Sequence, residues 1–145
     1  MLIHHSEHLF SKIRESNSLK DVKRWLDVTA NDYWHYHYRF DEPAGYRVKN
    51  LGSSMINSII INTVAPLLFA YGLYHREQSL KDKAIQWLVE TEAEKNNIIK
   101  GWHATGISAK DASQSQALLE LKTQYCDEKR CLDCAVGNAL LKQSG

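Results

Sequence analysis

The stretch from Met55 to about Tyr71 limits the fold of this chain more than any other. Met55, Ile56, Ile59, Ile60, Ile61, Val64, Leu67, Leu68 and Phe69 are apolar around much of a helical circumference. A helix of that kind has to be enclosed, so other elements must pack around it. Asn57, Ser58, Asn62, Thr63 and Pro66 interrupt the run, and its apolar portion falls short of the roughly 20 residues a bilayer needs. Residues 54–71 are therefore expected to form a central buried helix, opened by Gly52-Ser53-Ser54. A kink or break is expected near Pro66, which cannot donate a backbone hydrogen bond.

The flanking segments read as helices. Leu2, Leu9, Phe10 and Ile13 have helical spacing, and the pattern starts without an N-cap. His4 and His8 lie one turn apart there, and a solvated helix face is the simpler reading than a metal pair. Ser18-Leu19-Lys20-Asp21 has the form of a capping box before Leu19, Val22, Trp25 and Leu26. Thr29-Ala30-Asn31-Asp32 and Ser79-Leu80-Lys81-Asp82 repeat it, the latter ahead of Leu80, Ala84, Trp87 and Leu88. Thr91-Glu92-Ala93-Glu94 can cap a short helix through Ile98, Ile99 and Trp102, ended by Gly106 in a left-handed conformation. Ser108 or Asp111 then caps a helix to Tyr125, with Ala117, Leu118, Leu121 and Tyr125 inward. Cys131 or Leu132 opens a last helix through Val136, Ala139 and Leu140. No period-two alternation is sustained, so the expected fold is all-α, about seven or eight helices in one domain over residues 1–145.

Two clusters stand out from this scaffold. Tyr33-Trp34-His35-Tyr36-His37-Tyr38-Arg39-Phe40 interleaves aromatic rings with His and Arg. Such a run can stack bases or sugars, with Tyr38 and Arg39 as the surface residues. It can equally wall a core, with Trp34, His37 and Tyr38 on one helical face and hydroxyls reaching water, and that reading carries more weight. Asp41-Glu42-Pro43-Ala44-Gly45 is expected as a loop whose acids repel a nucleic-acid backbone.

The second cluster holds all three cysteines, Cys126, Cys131 and Cys134, spaced C-x4-C-x2-C, with Lys129 and Arg130 before the second. A helix start and two cations should lower the pKa of at least one thiol. Three readings stand. Cys126, Cys131 and Cys134 with one further ligand could hold zinc or an iron–sulfur cluster, but neither His75 nor His103 has ligand-like spacing. Cys131 and Cys134 could form a redox couple resolved by Cys126, although the element before them is a helix and not a strand. Three reduced cysteines could simply pack a helix corner, and this has the most weight.

Composition excludes more than it specifies. At 145 residues the net charge is +1, so no global field draws the chain to nucleic acid or anionic membrane. An odd number of clustered cysteines is no disulfide framework, and no secretory leader is evident, so a reducing cytoplasm is expected. No nucleophile elbow, glycine-rich phosphate loop or paired-acid site is present, so no catalytic constellation is assigned.

Phe10-Ser11-Lys12-Ile13, Asp32-Tyr33-Trp34, His37 to Asp41, Ile61-Asn62-Thr63, Pro66 to Gly72, Glu94-Lys95-Asn96, Ser115 to Leu119 and Tyr125 through Gly137 together resemble a known family. They are similar to the C-terminal part of the uncharacterised bacterial DUF2851 proteins. The resemblance runs over nearly the whole chain. It implies a longer parent protein whose N-terminal portion is missing here, and no established activity. The cysteines belong to the family-like motif and His103 does not. The expected role is a structural or interaction domain that completes or regulates a larger cytoplasmic protein. Its partners would be that N-terminal portion or a second copy through Leu2, Leu9 and Phe10, with no membrane. A metal-dependent module in nucleic-acid processing is the alternative, and a thiol redox site the third.

Overall fold

A computed structural model describes residues 8–143, so the expectations on Leu2 and His4 lie outside it. The chain is mainly helical, as the missing alternation implies, and among the described residues it adds one small hairpin that the all-α expectation did not include. It divides into two compact units, residues 1–87 and residues 88–145, with the boundary inside a helix.

In the first unit, α1 (Leu9–Glu15) buries Ile13 and α2 (Leu19–Leu26) buries Leu19, Val22 and Leu26. The Ser18 hydroxyl accepts the Asp21 N–H at 3.3 Å, closing the expected N-cap. A four-residue helix α3 (Asp32–His35) follows. Its cap is Asn31, whose side chain accepts from Trp34 N, and not Thr29, which pairs instead with Asn50 in an antiparallel bridge. The helical wall expected through Phe40 does not form. The chain turns into β1 (His37–Arg39) and β2 (Glu42–Pro43), joined through Asp41 in a left-handed conformation, φ 61°. Asp and Asn tolerate that conformation better than β-branched or bulky residues do.

The central helix α4 runs Ser53–Tyr74 without a break, four residues longer than the expected 54–71. It begins after Gly52, with no side-chain cap. The kink expected at Pro66 is replaced by a π-turn over Ile60–Val64. There the Ala65 N–H reaches back five residues to the Ile60 carbonyl. A wide turn just ahead of Pro66 spares it the α-helical bond it cannot make and loosens the crowding against the preceding turn. Beyond it, Ala65, Leu68 and Gly72 are buried. Phe10 meets the Tyr71 ring edge-on at 5.3 Å, and Arg14 donates to the Tyr71 hydroxyl at 3.0 Å. By length and composition α4 could also cross a bilayer.

The next helix, α5 (Gln78–Val89), starts one residue before the expected cap, and Asp82 accepts from Gln78. Its Leu80, Ala84 and Trp87 are buried as the spacing predicts. From it the Lys83 ammonium donates to the carbonyls of Arg14 (2.7 Å) and Ser16 (2.9 Å), closing the end of α1.

The second unit holds α6 (Asn97–Ala104) and α7, an α-helix over Ala112–Glu120 that continues as a π-turn over Leu121–Cys126. The last helix is α8 (Ala135–Gln143). Asp111 caps α7 as expected, accepting from Gln114 N at 2.9 Å. The α6 cap is Asn96, because Thr91 is drawn inward, its carbonyl accepting the Ala112 N–H beside the Glu92–Asp111 bridge. The buried residues of α7 are Ala112 and Ser115, not the Ala117 ridge the spacing predicts.

Candidate functional site

The cysteine corner is built from the end of α7. Asp127 lies five residues after Lys122, and the π-turn brings their side chains together as an ion pair. The Lys129 N–H donates to the Cys126 carbonyl (3.2 Å) and the Arg130 N–H to the Tyr125 carbonyl (2.9 Å). With Lys129 at φ 54°, this is a Schellman cap in which lysine holds the place glycine usually fills. Arg130 then folds back over the Tyr125 ring at 5.3 Å and binds Asp133 through Nε at 3.2 Å. Of the two cations before Cys131, Arg130 is thus engaged within the corner, and Lys129 takes the left-handed position of the cap.

Cys126 and Cys131 are exposed, Cys134 is buried, and all three are free thiols. The last helix does not open at Cys131 or Leu132 as expected. Residues 131–133 form a turn, and α8 begins at Ala135. Cys134 stands at its N-cap position, its Sγ accepting the Gly137 N–H at 3.5 Å and its carbonyl the Asn138 N–H at 2.8 Å. The Asn138 side chain donates to the Leu132 carbonyl at 3.3 Å. Among the described residues, no three His, Cys, Asp or Glu side chains form a group that could hold a metal ion. His103 is exposed on α6, and His75 packs against the Tyr71 and Tyr74 rings.

The aromatic cluster is the other candidate, and it belongs to the first unit. Residues 28–51 leave and rejoin the chain at one place, held by Ala30 N–H to Lys49 O (2.8 Å) and Leu51 N–H to Val28 O (2.9 Å). His35 anchors this excursion from inside. Its ring is buried, and Nδ1 accepts the Lys49 N–H at 3.2 Å.

The rings then sort into two groups. Tyr33 stacks on His37, centroids 4.0 Å apart and planes parallel within 2°, while Trp34 meets Phe40 at 4.9 Å. The Tyr33 hydroxyl accepts the Asp41 N–H at 3.0 Å, fixing the hairpin tip. Tyr36 and Tyr46 form the second pair, 5.1 Å apart and tilted by 54°. Lys49 places its ammonium over the Tyr38 ring at 3.6 Å while donating to the His37 carbonyl. Tyr38 and Arg39, singled out from sequence, are both exposed, and Arg39 pairs with Glu42 at 3.8 Å. Sequence reasoning missed Tyr46, Arg47 and Lys49, because residues on a returning loop share no helical period with the run they meet.

A family model described as a protein of unknown function (DUF2851) matches residues 1–97. The matched span includes the aromatic excursion and α4, whereas the cysteine corner lies beyond it. No curated protein and no solved structure matches the chain.

Proposed function

This chain belongs to the DUF2851 family of proteins of unknown function, and we propose that it is a structural or interaction domain that completes or regulates a larger cytoplasmic protein. The outer face of α4 carries this reading. The helix has no Asp, Glu, Lys or Arg from Ser53 to Tyr74, yet Pro66, Leu67, Phe69, Ala70, Leu73 and Tyr74 are exposed. A helix apolar on every side is normally buried on every side, so this face calls for a covering surface. The exposed apolar residues from Pro66 to Tyr74 span about 14 Å of helix. A strip about 10 Å wide along them gives only about 140 Å². A stable interface uses about 800 Å² per partner, so α4 would form the centre of a broader contact.

The polypeptide that would precede residue 1 in a longer relative is the covering surface we favour, with a second copy of this chain as the substitute when that segment is absent. Three free thiols agree with a reducing compartment. The metal-module reading draws no support from the arrangement of the cysteines. The test is association of Leu67→Glu/Leu73→Glu protein, alone by light scattering and with the remaining polypeptide by co-purification. Loss of both associations with unchanged helicity is the expected result. A wild-type chain that stays monomeric at high concentration and never co-purifies would sink the proposal.

A further inference from the structure

We propose that the Tyr36–Tyr46 pair, with Tyr38, Arg47 and Lys49, is a stacking site for single-stranded nucleic acid. Four of the chain's seven tyrosines lie on the excursion, as Tyr33, Tyr36, Tyr38 and Tyr46. Tyr33 is used internally, since its ring lies on His37 and its hydroxyl holds Asp41. The other three are half or more exposed, Tyr46 at 61% and Tyr38 at 62%. These rings are not loose: the Thr29–Asn50 bridge closes the base, and Arg47 N–H to His35 O (2.9 Å) and Ala44 N–H to Tyr36 O (2.6 Å) hold both sides of the Tyr36–Tyr46 pair. Exposed aromatic faces on an ordered backbone lose little freedom when a flat partner covers them, and every nucleobase offers such a face.

The charges favour a partner that is both flat and anionic. Arg39 is matched by Glu42, whereas Arg47 and Lys49 join no ion pair among the described residues. Lys49 is fixed over one face of the Tyr38 ring, two residues along the chain from Tyr36, where the phosphate of a base stacked on this strand would meet it. An acidic peptide would satisfy these cations but would leave the ring faces uncovered. Asp32 and Asp41 bring the formal charge of residues 28–51 to zero, so stacking supplies more of the affinity than counterion release. A shallow salt dependence follows. The site is independent of the α4 face, because no residue is shared between them.

The experiment is fluorescence anisotropy of labelled ten-nucleotide dT and rA strands with the 145-residue chain at 50 and 200 mM salt. Saturable binding is expected, with an affinity loss between the two salts corresponding to one or two phosphate contacts. Tyr36→Leu and Tyr46→Leu each weaken it by about five- to a hundredfold, while Tyr46→Phe, which keeps the ring, retains it. Lys49→Met removes about 0.7 units of the salt slope, the share of one single-strand phosphate contact. Far-ultraviolet circular dichroism of each variant confirms that the fold persists. The proposal is overturned by absence of saturation at 50 mM salt, by leucine variants that fold and bind like wild type, or by polyglutamate competing as well as the unlabelled strand.

Discussion

A side chain on Gly137 has no room: a Cβ there would stand 2.5 Å from the Cys131 carbonyl oxygen and 3.1 Å from its Cα. The obstacle is backbone, so no rotamer change relieves it. The first turn of α8 therefore lies directly against the turn that carries Cys131, and the C-x2-C-x2-G run is a close-packing device whatever else its thiols do.

Gly137→Ala should cost about 1–3 kcal/mol in the second unit, the range for forcing an extra methyl into a filled space. Cys131→Ser should be nearly neutral, since that side chain is exposed. Hydrogen exchange of the Asn138 amide, bonded to Cys134 O, reads this out locally. An alanine variant with unaltered protection there would show that the two backbones are not held so close.

Three helices end in the same left-handed cap with different residues in the strained place. Gly106 (φ 88°) ends α6, Arg76 (φ 59°) ends α4 and Lys129 (φ 54°) ends α7. Each cap has a second bond reaching back five residues: Ile107 N–H to Trp102 O, Glu77 N–H to Gly72 O and Arg130 N–H to Tyr125 O. The left-handed conformation costs an L-residue about 1–2 kcal/mol, partly offset by the greater unfolded-state freedom of glycine. Arg76→Gly and Lys129→Gly should thus each stabilise by about 0.5–1 kcal/mol, and Gly106→Ala should destabilise by about 1 kcal/mol. Chemical denaturation measures all three, and opposite signs for the two directions of exchange are required.

Lys83 gives a pH dependence with a definite sign. Burial lowers its pKa below the ordinary 10.5, since desolvation penalises the ammonium. Between the folded value and 10.5 the unfolded chain binds more protons than the native one, so stability rises with pH in that window. Lys83→Met lacks this term and also strands the Arg14 and Ser16 carbonyls, costing about 1–3 kcal/mol. The stability gap between wild type and variant should widen as pH approaches 10.5. A gap that narrows would assign the wrong sign to the burial of Lys83.

Legibility from sequence followed the range of the physics. Ser18, Asp111 and Gly106 act within five residues of themselves, and each appears where local spacing predicts it. Thr29 and Thr91 have equally good local signals, but backbone pairing to Asn50 and the bond from Ala112 N–H outcompete them, and Asn31 and Asn96 cap instead. The aromatic run could not be resolved because Tyr36 finds its partner, Tyr46, on a strandless return. Residues three apart share a helical face, so Cys131 and Cys134 would do so only in a helix that opened at Cys131. The helix begins at Ala135, because the Schellman cap and the turn over residues 131–133 come first.

The length of α4 hides a slip of one residue. Its buried residues are Ile56 and Ile60, then Ile61, Val64, Ala65, Leu68 and Gly72. Ile56 and Ile60 set one stripe; Ile61, Ala65, Leu68 and Gly72 set another, rotated by one residue. A π-turn is one residue inserted into an α-helix, and the turn at Ile60–Val64 brings the two stripes onto one face. Without it, the sequence reads as apolar all round. Deleting the exposed Thr63 should merge the stripes into a single α-helical period of 4, 4, 3 and 4 residues through Ile56, Ile60, Ala65, Leu68 and Gly72. The shortened helix loses the wide turn that accommodates Pro66, so the deletion needs Pro66→Ala beside it, or it incurs about 3 kcal/mol. The paired variant should keep its helicity and unfold within about 1 kcal/mol of wild type, well inside the range of ordinary point variants. Deleting Ala70 instead, beyond the π-turn, rotates Gly72 off the buried face and should unfold the first unit. Equal damage from both deletions, followed by thermal melting, would mean that the π-turn does not set the register of α4.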